Sequence, residues 1–316
     1  MKSLRIVFFG TPEFAAQSLN AIHHSQHDVV GVITVPDKAS GRGQKINESP
    51  VKKYAVENNL TLFQPEKLRN PEFLESMKDL NADVFVVVAF RMMPKMLFEI
   101  PKLGTFNLHA SLLPDYRGAA PINYAIINGE SKTGATTFFI NEKIDEGHIL
   151  LQEELPIDPE ENAGSLHDRL MVMGAQLVVK TLDGLSEGSI EEKPQPHSEN
   201  PKNAFKIFKE DTRIDWSQDI TTIHNFVRGM SPYPCAFTTL QIDQENKGLK
   251  IFEGKIEKTN HNKPSGTIEF TKNSMEIYVN GGIYNPIEVQ LEGKKRMNIK
   301  DFINGFKSLD QIKIAQ

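Results

Sequence analysis

The run DVFVVVAF occupies residues 83–90, and every residue after Asp83 is apolar. A short run of this kind, rich in β-branched side chains and apolar at odd and even positions alike, reads as a strand buried on both faces. Strands of that kind belong to parallel sheets covered by helices on either side. The neighbouring segments agree. LRIVFF (4–9), DVVGVIT (28–34) and GTFNLHA (104–110) read as further strands. Between them lie helix-like stretches: PEFAAQSLNAIHHS, for which Thr11 is the expected N-cap and Pro12 the first helical residue, and SPVKKYAVENN (49–59), opened by Ser and Pro. The predicted fold is α/β, a doubly wound, mostly parallel, Rossmann-like sheet. GATTFFI (134–140) and GHILLQEELPI (147–157) add a strand pair, and AGSLHDRLMVMGAQLVVKTLDGL (163–185) a long amphipathic helix.

The pattern then changes. SEGSIEEKPQPHSENPKNAFK (186–206) has the Ser, Glu, Asn and Pro content of a linker. Beyond it come a helical stretch near 219–229 and short strands at AFTTLQI, LKIFEGKIEK, GTIEF, SMEIYV and IYNPIEVQLE, separated by glycine-marked turns. That spacing predicts a small β-barrel of the OB-like kind. The expected organisation is a first domain over 1–186, a linker over 187–207 and a second domain over 208–316.

The chain has 316 residues, 39% of them hydrophobic, a net charge of -5 and one cysteine. The length suits two domains. A single cysteine, Cys235, excludes an internal disulfide and a multi-cysteine zinc site and suits a reducing compartment. Cys235 lies in SPYPCAF with no base beside it and reads as a buried structural thiol. MKSLRIVFFGTPEF does not read as a signal peptide, and no apolar run is long enough to span a bilayer, so a cytoplasmic protein is expected. From residue 209 onward there are 15 Lys and Arg against 14 Asp and Glu, which leaves 21 against 27 before it. Bulk charge therefore does not attract nucleic acid, and any polyanion must be held by local patches.

The site enters where GTFNLHA runs into SLLPDYRGAAP (111–121). In a strand, alternate residues share a face. Thr105, Asn107, His109 and Ser111 point one way, and an amide and an imidazole about 6–7 Å apart can reach one small substrate group. Leu112 and Leu113 follow in a loop bent by Pro114 and Gly118, where they pack on the core or line a pocket for a flat ligand. NEKIDEGHIL (141–150) offers Glu142, Asp145 and Glu146 beside Gly147, and residue type alone does not choose among them. A metal site from His109, Asp145 and His148 lacks a recognisable ligand spacing, so no metal is expected. PDKASGRGQKINES (36–49) is a glycine-rich loop carrying Lys38, Arg42 and Lys45.

The blocks FFGTPEFA (8–15), SGRGQK (40–45), VVVAF (86–90), FNLHASLLPDYRGAAP (106–121), NGE-x-x-TGATT (128–137), IDEGHIL (144–150), RIDW (213–216) and SPYP (231–234) stand in a telling order. The central block resembles the formyltransferases that use 10-formyltetrahydrofolate, and the full set is similar to the methionyl-tRNA formyltransferase family over essentially the whole chain. The resemblance implies 10-formyltetrahydrofolate as co-substrate, no metal, and initiator methionyl-tRNA as partner. It selects Asp145 and implies a catalytic set of Asn107, His109 and Asp145. Asn107 and His109 donate to the oxyanion formed when an amine attacks the formyl carbon, and Asp145 orients the imidazole. Folate is expected against Ser111, Leu112, Leu113 and Pro114, with Phe90 and Arg91 on the other wall. There Phe90-Arg91-Met92-Met93 departs from the family's glycine followed by aliphatics. Arg42 and Lys45 in the loop, and Lys294, Lys295 and Arg296 in the barrel, are the expected tRNA contacts. Relatives that formylate an amino-sugar nucleotide share the central block, which makes such an acceptor the alternative. A monomer is expected.

Overall fold

A computed structural model describes residues 2–40, 45–306, 308, 309 and 311–315. Along the chain its elements are β1 Arg5–Gly10, α1 Glu13–His23, β2 Asp28–Ile33, β3 Lys38–Ser40, β4 Lys45–Asn47, α2 Pro50–Glu57, β5 Leu62–Phe63, α3 Pro71–Asp79, β6 Val84–Val88, α4 Lys95–Phe98, β7 Thr105–His109, β8 Arg117–Gly118, α5 Pro121–Ile127, β9 Lys132–Phe139, β10 Ile149–Pro156 and α6 Ala163–Glu187. They continue with β11 Asn203–Ala204, α7 Ile220–Met230, β12 Ala236–Ile242, β13 Glu245–Lys258, β14 Thr267–Phe270, β15 Met275–Val279, β16 Gly282–Leu291, β17 Met297–Asn298, α8 Ile299–Asn304 and β18 Lys313–Ile314. The chain forms two compact units. One comprises Met1–Gly118, Thr133–Leu155 and Asp168–Asn203; the other comprises Ala119–Lys132, Pro156–His167 and Ala204–Gln316.

The first unit is built on a seven-stranded sheet of order β10-β9-β7-β6-β1-β2-β5. The strands from β7 through β6, β1 and β2 to β5 are parallel, and β9 joins β7 antiparallel. The continuous apolar runs explain the arrangement: Ile6, Val7, Phe8, Phe9 and Val84 through Val88 are almost wholly buried, so both faces of these strands need cover. Register assigns the faces. Val7 and Phe9 stand level with Phe85 and Val87, and these with Thr105 and Asn107. This face packs on Phe73, Met77, Leu97 and Phe98. Leu108, on the opposite face, lies close to Gly174 of α6.

Helix starts follow local chemistry. Ser49 and Asn70 accept from backbone N–H groups at the starts of α2 and α3, and each helix opens with proline. At α1 the expectation fails. Pro12, not Thr11, occupies the N-cap, no side chain caps the helix, and the Pro12 carbonyl accepts from Ala15 and Ala16. Gly10 makes the strand-to-helix approach tight, since a Cβ there would lie 2.6 Å from the Ala15 Cβ. Two short strands flank the centre of the basic loop. β3 and β4 pair antiparallel, with Ser40 opposite Lys45.

The second unit carries a nearly closed antiparallel barrel of strand order β14-β15-β16-β13-β12-β18, with β17 on β16. Alternation fills it: Ala236, Thr238, Leu240 and Ile242 of β12 point inward and are buried. Asp219 caps α7 through both Thr221 and Thr222. Tyr284, the largest fully buried side chain, sits 5.8 Å from the Trp216 ring, and a Cβ at Gly254 would collide with its hydroxyl. Cys235 is buried, and burial pushes its thiol up to about 11, which keeps it protonated at neutral pH.

One buried histidine is expected to make the stability of this unit depend on pH. His224 is 7% exposed on α7, with Tyr284 6.5 Å away ring to ring, and Arg228 lies one turn on. Its Nε2 is 3.2 Å from the Glu160 carboxylate without a well-aligned hydrogen bond. Burial lowers its pKa from the ordinary value; Glu160 opposes the shift and Arg228 adds to it. The unfolded chain then takes up a proton at a higher pH than the folded one, so stability is full above about pH 6.5 and falls as pH drops toward the lowered folded value. Trp216 is the only tryptophan and is buried in this core. Its fluorescence in denaturant titrations at pH 7.5 and 5.5 is expected to show an earlier midpoint at pH 5.5, and a smaller difference in His224→Gln. Equal differences in both proteins would exclude His224 as the source.

Candidate active site

β7 delivers its polar residues to the C-terminal end of the parallel sheet, where doubly wound folds place their sites. Asn107 is partly exposed, stands level with Val87 and Phe138, and its side-chain amide has no hydrogen-bond partner among the described residues. His109 is only 7% exposed. Its Nε2 lies 2.8 Å from the Tyr116 carbonyl oxygen. A carbonyl only accepts, so Nε2 carries the hydrogen. Its Nδ1 faces the Asp145 carboxylate at 3.8 Å, beyond a hydrogen bond and within an ion pair's reach. Among the three carboxylates left open by the sequence, Asp145 is the one beside the imidazole. Glu142 pairs with Lys95, and Glu146 with Arg117 and Lys143. Sequence reasoning had His109 donating to a substrate oxygen. Both ring nitrogens here face protein oxygens, so such donation requires one of these contacts to be exchanged.

The loop after β7 is organised by its own polar groups. The Ser111 hydroxyl donates to the Asp115 carbonyl at 2.7 Å. Thr136, on the neighbouring strand β9, donates to the Ser111 carbonyl and accepts from the Leu113 N–H. Gln152 donates to the Leu113 carbonyl and to Thr136. Leu113 is buried, Leu112 lies over Gly134, and Pro114 follows a cis peptide bond. Ser111 and Leu113 are thus committed to holding the loop, while Leu112 and Pro114 are partly exposed. Phe90 and Arg91 follow the end of β6, beside β7, so the two segments flank the same sheet end. Arg91 is partly exposed and forms no ion pair with an acidic group among the described residues. Its guanidinium donates to the Pro65 and Glu66 carbonyls, lies 5.5 Å from the Phe90 ring, and has its pKa lowered by burial.

Asp145 has φ of +53°, the left-handed region that a residue with a side chain seldom enters. Its carboxylate accepts from the Gly118 N–H at 2.9 Å. Two residues on, Gly147 is obligatory, because a Cβ there would lie 1.5 Å from the Phe139 carbonyl oxygen. Gln195, unmarked by any motif, donates to the Asp145 and Gly147 carbonyls, and Arg117 donates to Gln195. Segment 188–202 therefore has linker composition but is tied to this loop, and Lys193 bridges Ile149 as well.

The expected RNA contacts lie elsewhere. Arg42 is outside the described residues, and Lys45 opens β4. Lys294 and Lys295 are exposed in the turn between β16 and β17. Arg296 pairs with Glu288 and stacks on the Phe252 ring at 4.1 Å, so it is partly engaged by its own barrel. A cleft of about 730 Å³ opens at the opposite end of β7, lined by Lys95, Phe98, Gly104, Thr105, Phe139 and Glu142. Its lining includes no histidine or cysteine, and Lys95 and Glu142 pair with each other at 3.2 Å, so the chemistry is better placed at His109. Among the described residues no cluster of His, Cys, Asp and Glu is suited to hold a metal ion, and no helix is long and apolar enough to cross a membrane.

Comparison with known proteins fits both units. Residues 4–182 match the family described as Formyl transferase, and 206–307 match Formyl transferase, C-terminal domain. A parallel sheet with an amide, an imidazole and a carboxylate at its carboxyl end is thus a formyl-transferring scaffold that uses a folate-type co-substrate. The methionyl-tRNA formyltransferase of Flavobacterium johnsoniae is 49% identical over 99% of this chain and 100% of its own. That of Parabacteroides distasonis is 47% identical over 99% of both. This chain belongs to the methionyl-tRNA formyltransferase family. Among solved structures, the N-formyltransferase from Helicobacter canadensis, in complex with folinic acid and dTDP-3-aminofucose, shares the fold at a TM-score of 0.65 and 23% identity, covering 90% of this chain and 98% of that one.

The Asp145–Gly147 turn offers a direct test. Gly147→Ala forces the backbone away from Phe139 and is expected to cost at least about 1–3 kcal/mol, the scale of overpacking, together with most of the activity. Gly248→Ala, where the nearest atom is a flexible Glu292 oxygen at 3.7 Å, serves as the neutral comparison. Denaturant midpoints that are the same for both variants would show that the turn tolerates a side chain.

Proposed function

We propose that this chain transfers the formyl group of 10-formyltetrahydrofolate to the α-amino group of methionine on initiator methionyl-tRNA, the step that prepares this tRNA for translation initiation. The observation that carries the reading is the convergence of Asn107, His109 and Asp145 at one sheet end in a chain whose full-length relatives bear that name. Residues 1–186 form the catalytic domain, 187–207 the connection and 208–316 the tRNA-binding barrel, acting as a cytoplasmic monomer.

The chemistry follows from the groups. The methionine amine attacks the formyl carbon, and the carbonyl oxygen gains negative charge. The Asn107 amide, which has no hydrogen-bond partner among the described residues, donates to that oxygen, where the charge develops. His109 adds a second donor by exchanging the Tyr116 carbonyl for the substrate oxygen. As the tetrahedral species collapses, the bond to folate N10 breaks. The proton lost by the amine passes to that nitrogen through His109, and Asp145 stabilises the charged imidazole in between. Leu112, Pro114 and Phe90 supply apolar walls for the folate. Arg91 stands on this wall with its guanidinium held by the Pro65 and Glu66 carbonyls. Arg42, Lys45, Lys294, Lys295 and Arg296 contact tRNA phosphates.

The first experiment offers the formyl donor with methionyl initiator tRNA, methionyl elongator tRNA and amino-sugar nucleotides side by side. Product on the initiator tRNA alone is expected; product on a sugar would replace the acceptor and keep the site. Asn107→Ala and His109→Ala are each expected to lower the rate by about 10²–10³-fold or more. Near-normal turnover in either would break its assigned role. For the basic residues, Arg42→Ala and the pair Lys294→Ala with Lys295→Ala should raise KM for tRNA and flatten its salt dependence, leaving the folate KM unchanged. Equal loss in both KM values would make them structural.

A further inference from the structure

We propose that Gln195 and Arg117 are positioning residues that hold the carboxylate of Asp145 against His109. The proposal rests on the reading of Asp145 as part of the active site. The geometry is specific. One amide nitrogen of Gln195 lies 2.8 Å from the Asp145 carbonyl oxygen and 2.8 Å from that of Gly147, so each of its two hydrogens has its own acceptor. The amide oxygen accepts from Arg117 Nε at 3.0 Å and from Nη2 at 2.6 Å. The remaining Arg117 nitrogen, Nη1, is 3.3 Å from the Glu146 carboxylate. The residue after Arg117 donates its N–H to the Asp145 side chain. The turn 145–147 is thereby gripped at two carbonyls, at the Glu146 side chain and at the Asp145 carboxylate.

This grip answers a local problem. Asp145 sits in the left-handed region without being glycine, and such a conformation persists only where the surroundings over-determine it. Within the loop itself the restraints are the Lys143 N–H bond to Asn141 and the exposed Lys143–Glu146 pair, and neither holds the Asp145 or Gly147 carbonyl. Gln195 supplies that hold from 50 residues away in the chain. Core packing does not account for Gln195, which is half-buried while Pro194 and Pro196 on either side are exposed. The two prolines narrow the backbone freedom around it, so less entropy is lost in presenting the amide. Lys193 secures the same segment by exchanging both backbone hydrogen bonds with Ile149. A carboxylate 3.8 Å from the imidazole is sensitive to small displacements, and releasing the turn lets it drift.

The test is a double-mutant cycle measured as steady-state formyl transfer. Gln195→Met keeps the length of the side chain and removes its hydrogen bonds. It is expected to lower kcat by about 10–100-fold, the scale of an ångström's misplacement, with both KM values within about twofold of the wild type. In an Asp145→Asn background the same change should cost less than about twofold, because there is no carboxylate left to position. Gln195→Glu keeps the acceptor for Arg117 but loses both donor hydrogens, and should behave as Gln195→Met does. Arg117→Lys should lower kcat by less. Should Asp145→Asn turn over normally, the reading of the site fails and the proposal with it. If Asp145→Asn is impaired while Gln195→Met or Gln195→Glu keeps wild-type kcat, the positioning role alone is overturned. An equal loss from Gln195→Met in both backgrounds would mean that it acts by another route.

Discussion

A buried imidazole at the end of a buried strand must be met by polar groups, and the loops of the catalytic unit are arranged around that need. His109 leaves the sheet where water is excluded, and an unpaired donor there is costly. The Tyr116 carbonyl meets one nitrogen, which requires residues 111–116 to fold back over the strand they have just left. That return is why Ser111, Thr136 and Gln152 spend their hydrogen-bonding capacity on the loop backbone. The other nitrogen turns to Asp145, which requires the 141–147 loop to enter a strained turn. Each partner of the imidazole thus imposes a loop, and each loop imposes its own supports.

The sheet was legible in the sequence because its signal is local. A run such as VFVVV, apolar on both faces, has few structures open to it, and its position in the order of elements follows. The same holds for Asn107 and His109, whose shared face is a consequence of strand geometry. The choice of Asp145 over Glu142 and Glu146 was not local. All three are carboxylates beside a turn, and only the resemblance picked one; the three-dimensional register then sets it apart by giving the other two cations of their own. Thr11 was misjudged for a different reason. A threonine before a proline looks like a cap, but the proline itself took the cap position in extended conformation, and its carbonyl met the first helical N–H groups. The short helices α4, α5 and α8 carry too few turns for a period to appear, and they form through tertiary packing.

Gln195 was illegible in principle. It lies in a stretch whose prolines and charges read as a linker, and nothing in its neighbours marks a partner 50 residues earlier. Composition reports how much apolar surface a segment can bury. It does not report a single amide that satisfies two carbonyls. The stretch is therefore both linker-like, in that it has almost no core, and structured, in that a few hydrogen bonds fix its path. Arg91 illustrates the same limit in the opposite sense. As a charge beside a pocket it suggested a ligand contact, and sequence gives no sign that two of its nitrogens donate to the Pro65 and Glu66 backbone carbonyls.

The charge distribution bears on how such a protein can take a nucleic acid as substrate. The residues before 209 carry an excess of acid, and many of their cations are already spent: Lys52 pairs with Asp37 and Glu48, Lys95 with Glu142, and Arg117 with Glu146 and Gln195. Lys294 and Lys295 stand in an exposed turn instead. A polyanion gains most from cations that give up no existing partner, since a paired cation must first lose its own ion pair. Arg42 has glycine on both sides in the sequence, and the β3–β4 pairing on either side of that segment ends at Ser40 and Lys45. Binding of the acceptor is thereby separable from the chemistry. The polar groups around His109 are occupied with holding one another, so on the proposed reading phosphate contacts fall to basic residues such as Lys294 and Lys295, which the sheet does not use.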